Sequence, residues 1–458
     1  MALALVLILL VVATVLFHFL SPWWFTPIAS NWQTVDATVN VTFWVTGIVF
    51  ILVNLFLAYA VYRYRHRAGQ KAHYEPENKK LEWWLTGLTT VGIAAMLAPG
   101  LSVWAKFVTV PDNASVVEVV GQQWNWSYRL PGNDGQLGKS DVRLVSLDNP
   151  FGLDKNDPAS ADDLLVPSAQ LHMPVDKPVK LQLRAKDVNH QFAVPQFRVK
   201  MDMVPGMITY FWFTPTRTGE FDVLCEQLCG LAHFIMRGRV VVQDQEDYER
   251  WLASLPTFAS TQAEIAGDPA AGEALYATCS ACHGAQAEGN RDLNAPKLSG
   301  QAAWYLVRQL QDFKAGRRGT HEADTFGQQM APFANMLPDD AAIRNVVAYI
   351  TTLPEVRPAA TVLGNPERGA KTYATCAACH GAQGQGIWST RAPRLANQSD
   401  WYMERQLKNF RDGIRGAHRE NFDGAQMAAI AKYLTDDQAI TDLIDYMHNL
   451  GAQPGAGS

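Results

Sequence analysis

The sequence predicts a multidomain chain: transmembrane helices first, then a β-barrel or β-sandwich, then two all-α domains. Three observations carry that expectation. Long apolar runs dominate the first hundred residues, and the rest of the chain is mostly polar. Short alternating and β-branched runs fill the middle. The remainder is helical in pattern and repeats itself.

The 458 residues allow about three domains at roughly 150 residues each. An apolar content of 48 % would pass for a soluble protein, but the average conceals the segregation. The net charge of -5 is mild, and no basic stripe accompanies it, so nucleic acid is not an expected partner.

Residues 2–20, 41–62 and 83–104 are each long and apolar enough to cross a bilayer, so residues 1–106 read as a membrane anchor with three helices. The first has no Lys or Arg before its apolar run and no small-x-small cleavage site at its exit, which favours a retained helix over a cleaved signal peptide. Tyr62-Arg-Tyr-Arg-His-Arg, Lys71, Lys79 and Lys80 share one loop, which should be cytoplasmic. Everything after about Lys106 then lies on the opposite, outer side. Trp23, Trp24 and Trp32 suit an outer interfacial belt.

Residues 107–255 read as the β-domain, from runs such as Val116-Val-Glu-Val-Val, Val179-Lys-Leu-Gln-Leu-Arg and Arg239-Val-Val-Val. Within it, residues 131–163 are rich in Gly, Asn and Asp and predict a long surface loop. Residues 269–354 and 366–451 read as two copies of one small helical domain. An offset of 97 residues carries Cys279-Ser-Ala-Cys-His onto Cys376-Ala-Ala-Cys-His, Trp304-Tyr305 onto Trp401-Tyr402 and Met330 onto Met427, with no insertion. Residues 256–268 and the proline-containing 354–365 are linkers.

The six cysteines fall in three close pairs, each with a histidine one to four residues later, unlike a scattered disulfide framework. Two pairs are Cys-x-x-Cys-His, the attachment signature of a c-type haem. Cys279 and Cys282, and Cys376 and Cys379, would bond the two haems covalently. His283 and His380 would bind their irons. A second axial ligand is commonly a thioether, and Met330 and Met427 stand at the same distance from their histidines. Met336 has no partner in the second copy, where Tyr433 stands. These modules resemble class I cytochromes c. His321 and His418 read as surface or haem-edge residues. Arg318 and Arg415 could pair with haem propionates or be solvated.

The third pair lies in Cys225-Glu-Gln-Leu-Cys-Gly-Leu-Ala-His-Phe-Ile-Met236. Thiolate, imidazole and thioether are soft ligands that suit copper. One histidine is too few for two thiolate-bridged ions, and His190 is the second candidate. A zinc site of Cys225, Cys229, His233 and His190 is the alternative, and it would leave Met236 unused.

The stretch 81–242 resembles subunit II of the haem–copper oxidases. The resemblance implies a cupredoxin barrel with a dinuclear copper A centre. Cys225 and Cys229 would bridge two coppers, His190 and His233 would each bind one, and Met236 and the Gln227 carbonyl would complete the set. It also implies Trp124 as the tryptophan where electrons enter, unless it is a core aromatic. Glu82 would be a carboxylate at the mouth of a proton channel, unless it is a plain interfacial acid. The family's magnesium-binding glutamate is replaced by Gln227, with Glu226 one residue earlier, so that site is in doubt. Three membrane helices also depart from the family's usual two.

The implied function is electron input to a haem–copper terminal oxidase. Electrons would pass from a cytochrome c or another periplasmic donor, through the haems and copper, to subunit I, with subunit III as a further partner; oxygen reduction to water lies on another chain. A copper A-containing nitric oxide reductase and a stand-alone membrane-anchored electron-transfer module are the alternatives. The first repeat is tethered closest to the barrel, so the His380 haem is expected to meet the donor.

Overall fold

The computed structural model describes residues 2–21, 26–71, 76–146, 149–262 and 267–450. The apolar runs form α1 (Ala2–Leu20), α2 (Gln33–Arg63) and α3 (Lys79–Val108). All three are long and apolar enough to cross a membrane. In α2, the hydroxyls of Thr38, Thr42 and Thr46 donate to the carbonyls four residues back at 2.7–2.9 Å, so none is left unpaired in an apolar surround. Asn78 caps α3 by accepting from the Leu81 amide at 3.1 Å.

Among the described residues the β-domain holds ten strands: β1 (Ser115–Gln122), β2 (Asn125–Leu130), β3 (Leu164–Val166), β4 (Gln170–Pro174), β5 (Val179–Ala185), β6 (His190–Val194), β7 (Val199–Met203), β8 (Thr209–Phe213), β9 (Gly219–Cys225) and β10 (Arg237–Gln243). They form two five-stranded sheets, β3-β2-β1-β5-β8 and β4-β10-β9-β6-β7. Alternate side chains of β5 and β9 turn inward. The shared core holds Trp126, Tyr128, Phe192, Phe211 and Phe213.

Two expectations change here. Trp32 is 2 % exposed and packs in the barrel core beside Phe107 and Trp212; its indole donates to the Trp212 carbonyl at 2.9 Å. It anchors the α1–α2 connection to the barrel and does not face an interface. Trp23 and Trp24 lie outside the described residues. The 131–163 segment is also more than a surface loop. It carries α4 (Pro158–Ala161), and Phe151 and Leu153 turn inward onto Val120, Leu165 and Phe258. Two large apolar side chains outweigh the turn-rich composition around them.

After the barrel come α5 (Gln245–Ala253) and α6 (Phe258–Gln262). The first helical module comprises α7 (Pro269–His283), α8 (Ala303–Lys314), α9 (Thr325–Asn335) and α10 (Asp340–Thr352). The second comprises α11 (Pro366–His380), α12 (Asp400–Arg411), α13 (Phe422–Ala431) and α14 (Asp437–Leu450). In each, the first helix crosses the last at a glycine. A Cβ on Gly272 would meet the Asn345 carbonyl oxygen at 2.0 Å, and one on Gly369 the Asp442 carbonyl oxygen at 2.1 Å. Only glycine allows that approach.

Candidate redox centres

Strand pairing assembles the first site. β6 pairs β9 with Phe192 opposite Cys225, which brings His190, at the start of β6, beside Cys225, at the end of β9. The loop after β9 returns through a 3-10 turn, His233–Ile235, to Met236. Cys225 Sγ lies 3.8 Å from Cys229 Sγ, 4.0 Å from His190 Nδ1 and 3.3 Å from the Gln227 carbonyl. Cys229 Sγ lies 3.4 Å from His233 Nδ1 and 3.8 Å from Met236 Sδ. Among the described residues, only His190, Cys225 and Cys229 bring three such donor atoms within 4.8 Å of one another. Two sulfurs, two imidazoles, a thioether and a carbonyl are a donor set that fits soft copper ions.

Asp187 orients His190, accepting at 2.8 Å on the ring nitrogen opposite the cluster. Sequence reasoning misses this acid; its signal is an aspartate three residues before the histidine. Burial pushes the Asp187 carboxyl up, but bonds from His190 and the Gln123 and Val188 amides outweigh it and hold it below its ordinary value. The Cys229 thiol, and then His190, hold the Cys225 thiol well below its ordinary value against burial. The same contact, with burial, pushes the Cys229 thiol up, so the pair readily yields one thiolate, the form that metals bind. Glu226 turns to Lys200 at 3.3 Å, and the Gln227 residue is exposed.

Trp124 lies against this loop, 7 % exposed. Its indole donates to the Cys229 carbonyl at 3.1 Å. Glu82, in the first turn of α3, is exposed.

In the helical modules, α7 and α11 each end on the histidine of a Cys-x-x-Cys-His motif. His283 Nδ1 lies 2.8 Å from the Pro296 carbonyl, and His380 Nδ1 2.8 Å from that of Pro393. Each carbonyl fixes the tautomer in which the other ring nitrogen is a free ligand. Burial holds both imidazoles below their ordinary value. One cavity of about 370 Å³ is lined by Cys279, Cys282, His283 and Met330, and by Cys376, Cys379, His380 and Met427. Its walls include Leu306, Phe313, Leu407 and Phe410. Paired thiols beside an imidazole, a thioether and apolar walls fit covalent haem. Met336 is 65 % exposed.

Arg318 and Arg415 are not solvated. Arg318 donates to Tyr402 of the other module at 3.0 Å, and Arg415 to Tyr305 at 3.0 Å. His321 and His418 are exposed and line a smaller cavity beside those arginines.

The second module, not the first, sits on the barrel. Trp124 and Cys379 line one cavity, and Ala378, Ala429 and Ile430 of the second module pack against the barrel core. Asn125 Nδ2 donates to the Ser389 carbonyl at 3.0 Å, and Phe234 meets Tyr433 with ring centroids 5.2 Å apart. The short tether to the first repeat suggests the reverse. Tether length limits reach but does not choose a contact face, and the 354–365 segment lets the chain turn back.

The cytochrome c oxidase subunit II periplasmic-domain family matches residues 115–244. The cytochrome c family matches residues 269–354 and 366–451. The alternative cytochrome c oxidase subunit 2 of Bradyrhizobium diazoefficiens is 59 % identical over 259 residues, which is 57 % of this chain and 94 % of that protein. The cytochrome c oxidase subunit 2 of Cereibacter sphaeroides is 29 % identical, covering 49 % of this chain and 76 % of that protein. Cytochrome c4 of Azotobacter vinelandii is 34 % identical over 200 residues, 41 % of this chain and 92 % of its own length. This chain belongs to the cytochrome c oxidase subunit II family and carries two cytochrome c domains behind the family's periplasmic domain.

Proposed function

We propose that the chain is the electron-input subunit of a haem–copper oxidase, and that electrons pass from a periplasmic donor to the first haem module, then to the second, then to the copper centre. The observation that carries this order is the contact chain Cys379–Trp124–Cys229. Trp124 shares a cavity wall with Cys379 of one haem motif, and its indole bonds the carbonyl of a copper-loop cysteine. Trp124 is thereby covered, so a soluble donor is directed to the first module.

When bound, two haems and a pair of copper ions supply reversible one-electron chemistry. Cys279, Cys282, His283 and Met330 would hold one haem, and Cys376, Cys379, His380 and Met427 the other. Cys225, Cys229, His190, His233, Met236 and the Gln227 carbonyl would hold the coppers. Asp187 fixes the His190 ring, and Cys225, Cys229 and Met236 are themselves buried. Arg318 and Arg415 would hold haem carboxylates at the junction of the modules. Glu82 stands at the far end of α3 from the barrel, a helix of 30 residues and hence about 45 Å long; it would admit protons from the cytoplasmic side. Subunit I, with subunit III, would receive the electron and reduce oxygen to water.

The test is a pair of variants. Imidazole donates more strongly than thioether to ferric iron, so Met330→His and Met427→His should each lower one haem's potential, by on the order of 0.1 V within the roughly 0.8 V that axial ligands span. Met330→His makes the encounter with the donor uphill and should cost more turnover with external cytochrome c. Met427→His leaves that step alone. A larger loss from Met427→His reverses the order. Metal analysis should give two coppers and two haems per chain, and the large subunit that co-purifies identifies the terminal acceptor.

A further inference from the structure

Three modules meet at one buried cluster. Arg308 comes from α8 of the first haem module, Asp423 from α13 of the second, and Arg391 from the segment before α12. Asn125 opens β2 of the barrel. Arg308 bonds one oxygen of Asp423, and Arg391 Nε donates to the other at 2.7 Å. The far end of the Arg391 guanidinium donates to Asn125 Oδ1 at 2.5 Å. Asn125, Ser389 and Arg391 are all buried. Burial pushes the Asp423 carboxyl up, but Arg391 and Arg308 outweigh it and hold it below its ordinary value.

The repeat supplies an internal comparison. At the 97-residue offset, Arg391 corresponds to Asn294, Asp423 to Phe326 and Arg308 to Arg405. At that mirrored junction, Arg405 donates to Asn294 at 2.6 Å and stacks over the Phe326 ring at 4.3 Å. Two related modules therefore meet through two related junctions, one a lone arginine on an amide and an aromatic ring, one an Arg–Asp–Arg chain. The ion-paired junction is the one that touches the barrel. A symmetric pair would offer two equivalent faces to the copper domain.

We infer that Arg391 and Asp423 are the positioning pair that selects the second haem module as the one seated on the copper barrel. The inference rests on the relay proposed above, since its consequence is to hold Cys379 against Trp124. Neither side chain carries an electron. Arg391 reaches the barrel only because Asp423 fixes its guanidinium, and Asp423 stays ionised in a buried place only because two arginines flank it. Without the carboxylate, a buried guanidinium is left uncompensated, and that strongly disfavours the seated state.

The experiment uses the detergent-solubilised holoprotein with copper and both haems. Asp423→Asn, and the double variant Arg391→Asn with Asp423→Phe that restores the first repeat's residues, should raise amide exchange across residues 123–126 by about 10- to 100-fold, the scale of a lost charged hydrogen bond. Electron transfer from photoreduced haem to copper should slow at least about tenfold by the same loosening. Both haem potentials and both methionine–iron bands should stay put, and Asp423→Glu should restore exchange and rate. Arg419→Gln breaks an exposed pair with Glu220 across the same interface and should change neither; a loosening as large there overturns the assignment. Unchanged exchange in Asp423→Asn also overturns it. If Asp423→Asn does not accumulate, Asn125→Ala removes only the barrel's end of the chain, and unchanged exchange in it is equally fatal. Absence of haem-to-copper transfer in the unaltered protein sinks the relay instead, and the exchange measurement still decides the positioning pair.

Discussion

In the barrel, sulfur and nitrogen donors each lie within 4.0 Å of a neighbouring donor, on a domain whose core is closed by Trp126, Tyr128 and Phe192. In the helical modules, the Cys, His and Met side chains stand around a shared cavity, and the buried clusters beside it are small. The barrel's core does not need copper. The modules' cores need an apolar body between their helices, because walls with no partner atoms forfeit their dispersion contacts. One domain builds its metal site, and in the other two the cofactor completes the fold.

The largest expected effect tests that contrast directly. Cys225→Ser should abolish copper binding, because a hydroxyl cannot replace a thiolate ligand. It should leave the barrel folded and both haems in place. The double variant Cys376→Ser with Cys379→Ser should lose its covalent haem and most of the second module's protease resistance. Metal analysis, a haem stain after denaturation and limited proteolysis read all three. A Cys225→Ser barrel that unfolds, or a haem-free second module that resists protease as well as the intact one, breaks the comparison.

A smaller effect belongs to the helical modules alone. Gly272→Ala places a methyl against the Asn345 carbonyl, backbone that cannot rotate away. The expected loss is about 3 kcal/mol, the upper end of ordinary overpacking. Denaturant titration of the first haem's methionine–iron band should show it, with the second haem's band unmoved. Equal shifts of both bands would mean that the modules unfold as one unit.

The redox motifs are legible in the sequence because they are local. In Cys-x-x-Cys-His and in the copper loop, a few residues within one turn or loop carry most of the ligands, and their spacing is the signal. The repeat offset exposes the paired methionines in the same way. Long-range placement is what the sequence hides. His190 is a candidate by residue type, and only the β6–β9 register brings it to Cys225. Trp32 looks interfacial because it follows an apolar span, yet the barrel buries it. The placement of the haem modules reads backwards, since tethering is visible in a sequence and the Asn125–Arg391–Asp423 contact is not. Phe151 and Leu153 are masked by the composition of the segment that carries them.

The smallest effect belongs to the barrel's own interior, where charges rather than a cofactor are buried. Arg129 pairs with Glu118 and Asp163, and Arg184 with Glu118 at 2.6 Å. Asp163 is fully buried, and one of its oxygens has no hydrogen-bond partner. Burial therefore outweighs Arg129 and pushes its carboxyl up to about 6, against about 3.9 in an unfolded chain. An acid with a raised folded value binds its proton more tightly when folded, so its contribution is fully present below about pH 4 and declines until about pH 6. The gap of two pH units sets a ceiling of about 3 kcal/mol, and relaxation and water penetration should reduce it to on the order of 1–2 kcal/mol. Asp163→Asn cannot titrate. The stability of the unaltered protein minus that of Asp163→Asn, from denaturant unfolding followed by tryptophan fluorescence, should fall by that amount between pH 4 and 6 and be flat above. Taking the difference cancels protonation of the copper ligands, which both proteins share. A difference that instead grows with pH would mean that Arg129 outweighs burial and that the Asp163 carboxylate is held as a stabilising charge.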